Sequence, residues 1–155
     1  MLPAWYHGGF PDIEILMRDL FEPLLTGVDI VPWFPKSSEY VPHLDAGGAY
    51  LRAARTGGSF NFDGNRDEPR VQIAALSKSR ATSWELIEFV RQTIWSFRHG
   101  ALVPGTDVQL QAGQEVLGPQ LIPENIVEPR LVPATFGLIT WKPGNTSYVQ
   151  ALGLS

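Results

Sequence analysis

The chain has 155 residues, which is enough for one domain with a core of its own. Its net charge of −4 argues against a protein whose main task is to grip nucleic acid, and the lack of cysteine excludes disulfides, thiol catalysis and cysteine-ligated metals. Charged residues make up 18% of the chain, against about 25% in a typical soluble domain, which indicates surface suited to contact with other proteins. The sequence has neither a signal-peptide pattern nor an apolar run of membrane-spanning length, so we expect a protein of the cytoplasm or of an assembled particle.

The first predicted element is a helix over residues 12–25, whose apolar residues recur at helical spacing. They are Ile13, Leu16, Met17, Leu20 and Leu24. Pro23 lacks a backbone donor and predicts a kink or an end there, and Gly27 stops the helix. A short strand is expected at residues 28–31, and an extended, proline-punctuated loop over residues 31–47.

Two further strands are predicted at residues 49–55 and 70–76, where apolar and polar residues alternate. They form a hairpin, with residues 56–69 as a long polar loop at its tip. The next element is a second long helix, for which Thr82 and Glu85 fit a capping box and Gly100 a C-terminal cap. Its main apolar stripe comprises Trp84, Ile87, Val90, Ile94 and Phe97. Leu86 and Phe89 begin a second stripe, which we expect to meet another subunit in part.

The last two strands are predicted at residues 107–112 and 134–141, with Pro133 limiting the second to an edge or a bulge at its start. The order of elements predicts an α+β fold with a mixed or antiparallel sheet of about five strands and two helices on one face. We expect a single domain over residues 1–155. It comprises an extended segment over residues 1–10, a core over residues 11–142 and a tail over residues 143–155.

Catalytic and metal-binding motifs are weak or missing in the sequence. Residues 63–67 resemble the opening of a calcium loop, but Glu68 stands where that loop needs glycine and Ala74 where it needs glutamate. The three histidines lack ligand spacing, and no phosphate-binding or dinucleotide-binding motif occurs. Glu85 is assigned to capping, and Glu88 to pairing with Arg91 and Gln92, so we predict no enzyme and no metal or cofactor.

Aromatic residues and arginines mark two candidate contact surfaces. Most of the five tryptophans are expected in the core, whereas Trp5, with Tyr6 and Phe10, lies in a segment outside the regular elements and is a candidate partner anchor. Four arginines cluster around the predicted hairpin, at positions 52, 55, 66 and 70. Because acidic residues are interleaved with them, an interface edge is favoured over a DNA-binding surface.

Three stretches of this sequence resemble the tail terminator (tail completion) proteins of bacteriophages with long non-contractile tails. The first is Phe10-Pro11-Asp12-Ile13-Glu14, which opens the first helix. The second runs from Tyr50 to Gly58, continues as a polar loop and resumes as Asp67-Glu68-Pro69-Arg70-Val71-Gln72-Ile73. The third is the long helix between Ala81 and Arg98. Together they cover about residues 10–141.

This resemblance implies a homohexameric ring in the virion, at the head-proximal end of the tail. The ring would stop polymerisation of the tail tube protein and offer a surface to the head–tail connector or stopper, while DNA passes through its channel without specific binding. The hairpin loop would face the lumen or a neighbouring subunit. That loop comprises Arg55, Thr56, Gly57, Gly58, Ser59, Phe60, Asn61, Phe62, Asp63, Gly64, Asn65, Arg66, Asp67 and Glu68.

Two other hypotheses stay open at this point. One is a different head–tail connector protein, such as the stopper, which only a partner assay would separate from a terminator. The other is a small ferredoxin-like domain that binds a ligand or catalyses a reaction. It would need polar groups that converge in space although they are distant in sequence.

Overall fold

The computed structural model of the chain describes residues 1–120, 128–142 and 147–154. Within these residues the chain forms an α+β fold with one sheet. The elements are α1 (Ile13–Phe21), a short 3-10 helix (Glu22–Leu24), β1 (Val28–Val31), α2 (Ser37–Asp45), β2 (Ala49–Asn61), β3 (Arg66–Leu76), α3 (Arg80–Ser96), β4 (Ala101–Leu102), β5 (Gln109–Leu117) and β6 (Val132–Trp141). The predicted fold class is confirmed, but the described residues contain six strands and three α-helices rather than five and two.

The strands form one mixed sheet in the order β1-β2-β3-β6-β5-β4. Only β1 and β2 run parallel, and every other neighbouring pair is antiparallel. The strand that the sequence did not predict is β4, which has two residues and pairs only with the start of β5. Such a short segment carries no detectable alternation of apolar and polar residues.

The main core lies between one face of the sheet and the helices α1 and α3. From α1 it takes Met17 and Phe21, and from α3 Ile87 and Val90, all of which are fully buried. The apolar spacing that predicted these two helices therefore identified their buried faces correctly. The tryptophans do not follow the prediction, since Trp33, Trp84 and Trp95 are 76%, 43% and 58% exposed.

The helix α2 lies on the opposite face of the sheet, where an extended loop was predicted. Successive strand residues point to opposite faces, and Leu51 joins the main core whereas Tyr50 packs with Leu44 of α2 and Leu76 of β3. Pro42 stands inside α2. The prolines of residues 31–47 predicted a loop, and this prediction is wrong for α2. Packing of Leu44, which is fully buried, stabilises a short helix that sequence propensity alone does not favour.

The helices α1 and α3 each begin at a residue whose side chain caps the helix. Asp12 accepts hydrogen bonds from the backbone N–H groups of Glu14 and Ile15. At its other end α1 gives way to the 3-10 helix that contains Pro23, close to the predicted end. The predicted capping box of α3 is wrong. Ser79 is the N-cap and accepts from the backbone N–H of Thr82, so Thr82 lies inside the helix and α3 starts a turn earlier than expected.

The last two strands differ from the prediction mainly in extent. β5 continues five residues beyond Ala112, because bulges near Gln114 and Leu117 break the alternation that marks its first half. β6 is a central strand rather than an edge, since it pairs with both β3 and β5. Pro133 lies beyond Thr135, the last β6 residue that pairs with β5, so the proline interrupts no pairing on that side.

Candidate functional site

The predicted hairpin loop is mostly strand. β2 and β3 stay paired from Tyr50↔Leu76 to Asn61↔Arg66, and only residues 62–65 form the turn. The polar and glycine-rich composition suggested a loop because most of these residues are exposed on both faces of the hairpin and so show no apolar alternation. The hairpin that the sequence predicted is therefore confirmed, but as a pair of strands and not as a flexible loop. We call residues 55–68 the arm, and its β3 side also pairs with β6 at Arg66 and Asp67.

A bulge between Arg55 and Gly57 shifts the register of the arm. Gly58, the next residue, has φ +95°, and a Cβ placed there would lie 2.2 Å from the carbonyl oxygen of Glu68. Only glycine fits this position, because the two backbones approach too closely for any side chain. Gly57 also has a positive φ but faces open space.

An ion pair ties the base of the arm to the residues next to its turn. The Arg55 guanidinium donates to both carboxylate oxygens of Asp67, at 2.6 and 2.9 Å, and Asp67 is 4% exposed. These hydrogen bonds raise the pKa of Arg55. The backbone N–H of Arg55 donates to Glu14 of α1 at 2.9 Å, so the arm is also tied to the first helix.

The tip of the arm is ordered by local hydrogen bonds. Asn61 accepts from the backbone N–H of Gly64 at 2.8 Å, and Asn65 adopts φ +46° to close the turn. Glu68 accepts from Arg66 and Asn61, and these bonds, that from Arg66 first, lower the pKa of Glu68. The described residues contain no cluster of His, Cys, Asp and Glu that could hold a metal ion.

The N-terminal aromatic residues pack within the chain. Trp5 and Tyr6 contact Tyr148, with ring centroids 5.5 and 5.4 Å apart, and each remains 39% exposed. Phe10 lies 4.7 Å from Phe60 of the hairpin, with the rings edge to face. The proposed anchor therefore divides into two parts. Trp5 and Tyr6 meet the C-terminal segment, whereas Phe10 extends an aromatic row along the hairpin.

That aromatic row ends in the most exposed ring of the hairpin. Phe60 and Phe62 lie 4.8 Å apart, and they are 42% and 82% exposed. No interaction within the described chain explains why a phenylalanine stands at the tip. Exposed aromatic side chains of this kind are typical of protein interfaces.

A second exposed apolar surface runs along the outer side of α3. Trp84, Phe89 and Trp95 are each at least 40% exposed, and Arg98 lies over the Trp95 ring at 3.7 Å from its centroid. Trp84 was predicted to lie in the buried stripe, but it is exposed, and the preceding residue, Ser83, is buried instead. Phe89, in the second predicted stripe, is exposed, and the expected contact of that stripe with another subunit stays a prediction.

A groove of about 460 Å³ lies between α3 and β5. Its apolar lining comes from Ile94 and Trp95 of α3 and from Phe136 of β6. On its rim Arg91 donates to Glu115 at 2.6 Å and to Glu88 at 2.7 Å, and these bonds raise the pKa of Arg91. Glu88 also accepts from Gln92, as the sequence predicted.

The sequence did not identify this groove or the role of Tyr148. Trp95 carried no signal, because it lies outside both apolar stripes of its helix. Residues 113–117 of β5 lie beyond the strand that the sequence predicts over residues 107–112. The one available clue for the hairpin tip is the Phe60-x-Phe62 spacing, which puts both rings on one side of a strand end.

A family model described as "Phage tail termination protein" matches residues 9–147, which span the hairpin, α3 and the groove. The chain belongs to the phage tail terminator family. No curated protein matches it.

Membership gives this terminator a structural role in completing the phage tail, as a component of the virion. No helix among the described residues is long and apolar enough to span a membrane. The resemblance on which the sequence interpretation rested is therefore confirmed at the level of the family.

Proposed function

We propose that the terminator forms a homohexameric ring that caps the head-proximal end of the tail tube and offers its other face to the head–tail connector or stopper. The family match over residues 9–147 carries this proposal. A ring made by head-to-tail contacts closes when the rotation between neighbours closes. One face then continues the tube and the other does not, so growth stops by binding and no chemistry is required.

The apolar surfaces left open in one chain support an oligomer. The hairpin tip exposes Phe62, and the outer side of α3 exposes Trp84 and Trp95. They lie on different elements, and β6 separates the hairpin from β5 in the sheet. Two unlike surfaces on one molecule are what a head-to-tail contact needs.

The charge of the arm supports a channel through which DNA passes without specific binding. Residues 55–68 contain two arginines against three carboxylates, and both arginines are paired within the arm, Arg55 with Asp67 and Arg66 with Glu68. Arginines that are already paired neutralise few phosphates. An arm of this kind in the lumen would let DNA slide.

The direct test is the length of tail tubes assembled from the tube protein with and without the terminator, measured by electron microscopy. We expect a terminator-capped end and a narrow length distribution. Binding to the connector or stopper but not to tubes would make the chain a different joining protein. Native mass spectrometry over a concentration series should resolve a six-subunit species, alone or on short tubes.

The arm should be needed for capping. Replacing residues 59–68 by Asn-Gly joins Gly58 to its register partner Pro69 through a two-residue turn and removes the outer arm. We expect a variant that no longer limits tube length. Because this deletion also removes Asp67, the variant Phe62→Ser, which keeps the arm, provides a second test. Normal tube length with both variants would contradict the proposal.

A further inference from the structure

We propose that the tip of the hairpin on one subunit docks into the α3–β5 groove of the next, with Phe62 entering the groove and Asp63 pairing with Arg98. This contact rests on the proposed ring and specifies its interface. The tip supplies one exposed ring and one exposed carboxylate, and the groove supplies an apolar lining and a guanidinium. The occupant is therefore a second copy of this chain.

The tip is preorganised for insertion. The hydrogen bond from Gly64 to Asn61, at 2.8 Å, and the contact of Phe60 with Phe62 hold the exposed ring at the end of the arm. Phe10 braces Phe60 from the other side. A side chain that is already ordered loses little conformational entropy when it binds, so the burial of its apolar surface is retained as affinity.

The groove can take a ring of this size. Its volume of about 460 Å³ is in the range of pockets that enclose small organic groups, which is roughly 300–1,000 Å³. Ile94 and Phe136 form a buried floor, and Trp95 stands on the rim with 58% of its surface exposed. At the side of β5, Gly113 has no side chain to narrow the opening.

The charged side chains of the tip and the groove decide which groups meet across the contact. In the groove Arg91 is held by Glu88 and Glu115, whereas Arg98 contacts the Trp95 ring and has no carboxylate partner among the described residues. At the tip Arg66 is held by Glu68, and Asp63 has no cation partner among the described residues. The free carboxylate and the free guanidinium complement each other across the contact.

The arm and the groove lie on different elements of one chain, so the proposed contact between neighbours is directional. The arm belongs to β2 and β3, the groove borders β5, and β6 lies between them in the sheet. Each subunit therefore presents one tip and one groove, and every tip meets the groove of a neighbour. A contact between unlike surfaces generates a ring or a filament, whereas a contact between like surfaces would stop at a dimer.

Site-directed cross-linking tests the contact cleanly, because the natural chain contains no cysteine. Asp63→Cys and Arg98→Cys chains are mixed under assembly conditions and treated with a short bis-maleimide. We expect cross-linked dimers in the mixture, none with either variant alone, and a ladder reaching the closed ring when one chain carries both changes. A disulfide would require Cα atoms about 4.4–6.8 Å apart, which is shorter than an aspartate–arginine pair spans, so the linker replaces the missing side-chain length.

The matched control is Glu85→Cys mixed with Asp63→Cys. Glu85 is exposed on α3, and Arg98 lies two residues past the end of that helix, so 13 residues, or roughly 20 Å, separate the two positions. Cross-links of residue 63 to itself, or equal yields with positions 85 and 98, would overturn the contact.

Charge reversal gives a second readout. Asp63→Arg and Arg98→Asp should each weaken assembly by about tenfold or more, and the double variant should restore it. If the wild-type chain neither assembles nor limits tube length, the proposed function fails. If it does both and the reversals have no effect, only the tip-in-groove contact fails, and the tip is free to meet the tube protein or the connector.

Discussion

Arg55 reaches along the β2–β3 hairpin to Asp67, and two hydrogen bonds of 2.6 and 2.9 Å join them. Their register partners are instead Val71 and Phe60. Asp67 is almost fully buried, whereas the Arg55 side chain is 37% exposed. The carboxylate therefore depends on this one cation, while the guanidinium can still reach water. The pair ties the start of the arm on β2 to the residues of β3 that lie next to the turn.

Replacing Asp67 with Asn should destabilise the terminator by about 1–3 kcal/mol, because it removes a charge-assisted pair and leaves a buried amide in its place. Urea unfolding followed by tryptophan fluorescence measures the change. Asp63→Asn removes the same charge from the exposed tip and should leave stability within about 0.5 kcal/mol of the wild type. Equal effects of the two substitutions would show that the ion pair contributes nothing specific.

Gly58→Ala should be more damaging than Gly57→Ala. Both positions have positive φ, which costs roughly 1–3 kcal/mol for a residue other than glycine. Only at Gly58 does the added methyl group meet backbone, at 2.2 Å from the Glu68 carbonyl oxygen. Hydrogen exchange of the arm amides should rise sharply in the first variant and modestly in the second. Similar exchange in both would place the strain in φ alone.

The N-cap of α3 can be assigned by two substitutions. Ser79→Ala should cost about 1 kcal/mol, since the Ser79 hydroxyl accepts from the backbone N–H of Thr82 at 3.1 Å. Glu85→Ala should leave thermal stability almost unchanged, because the helix starts before the predicted capping box. A larger loss with Glu85→Ala than with Ser79→Ala would restore that box, since alanine cannot accept the hydrogen bond.

Acid should weaken the contact between α2 and residues 128–131. Hydrogen bonds from Arg130 lower the pKa of Glu128, which also accepts from the Tyr40 hydroxyl at 3.2 Å. A lowered folded-state pKa stabilises the protein above the unfolded value of about 4.3, and this contribution is lost as pH falls through the folded value.

The variant Glu128→Gln should therefore be less stable than the wild type at pH 7, by on the order of 1 kcal/mol, and the difference should shrink below about pH 4. Thermal unfolding at a series of pH values measures it. Glu22→Gln, at an exposed position, removes one charge elsewhere and serves as the control. A difference between Glu128→Gln and the wild type that persists at pH 3 would assign the effect to packing.

The buried faces of α1 and α3 were predictable, because residues such as Met17 and Ile87 repeat with the period of a helix that packs on a sheet. α2 was not, because its stability comes from Leu44 packing against Tyr50, a contact that no local pattern records. The bulged half of β5 was missed for a related reason, since an edge strand with exposed residues carries no alternation.

The candidate site was only half predictable. The hairpin followed from the alternation in its two strands, whereas the exposed ring of Phe62 at its tip was not predicted. The groove was not predicted either, because it joins the end of α3, at Trp95 and Arg98, with Phe136 of β6 and with β5, which only the tertiary fold brings together. Trp95, the exposed aromatic residue of the groove, also lies outside both predicted apolar stripes of α3, so its spacing in the sequence gave no sign of the groove.

The contact of Tyr148 with the N-terminal segment links residues that are 140 positions apart. Its hydroxyl donates to the carbonyl oxygen of Gly8 at 2.5 Å and accepts from the backbone N–H of His7 at 2.9 Å. During synthesis on the ribosome, residues 7 and 8 therefore cannot form these hydrogen bonds until residue 148 has been made. Phe10 follows this segment directly and braces the arm through Phe60. The segment that leads into this brace is thus held in place only after residue 148 has been made.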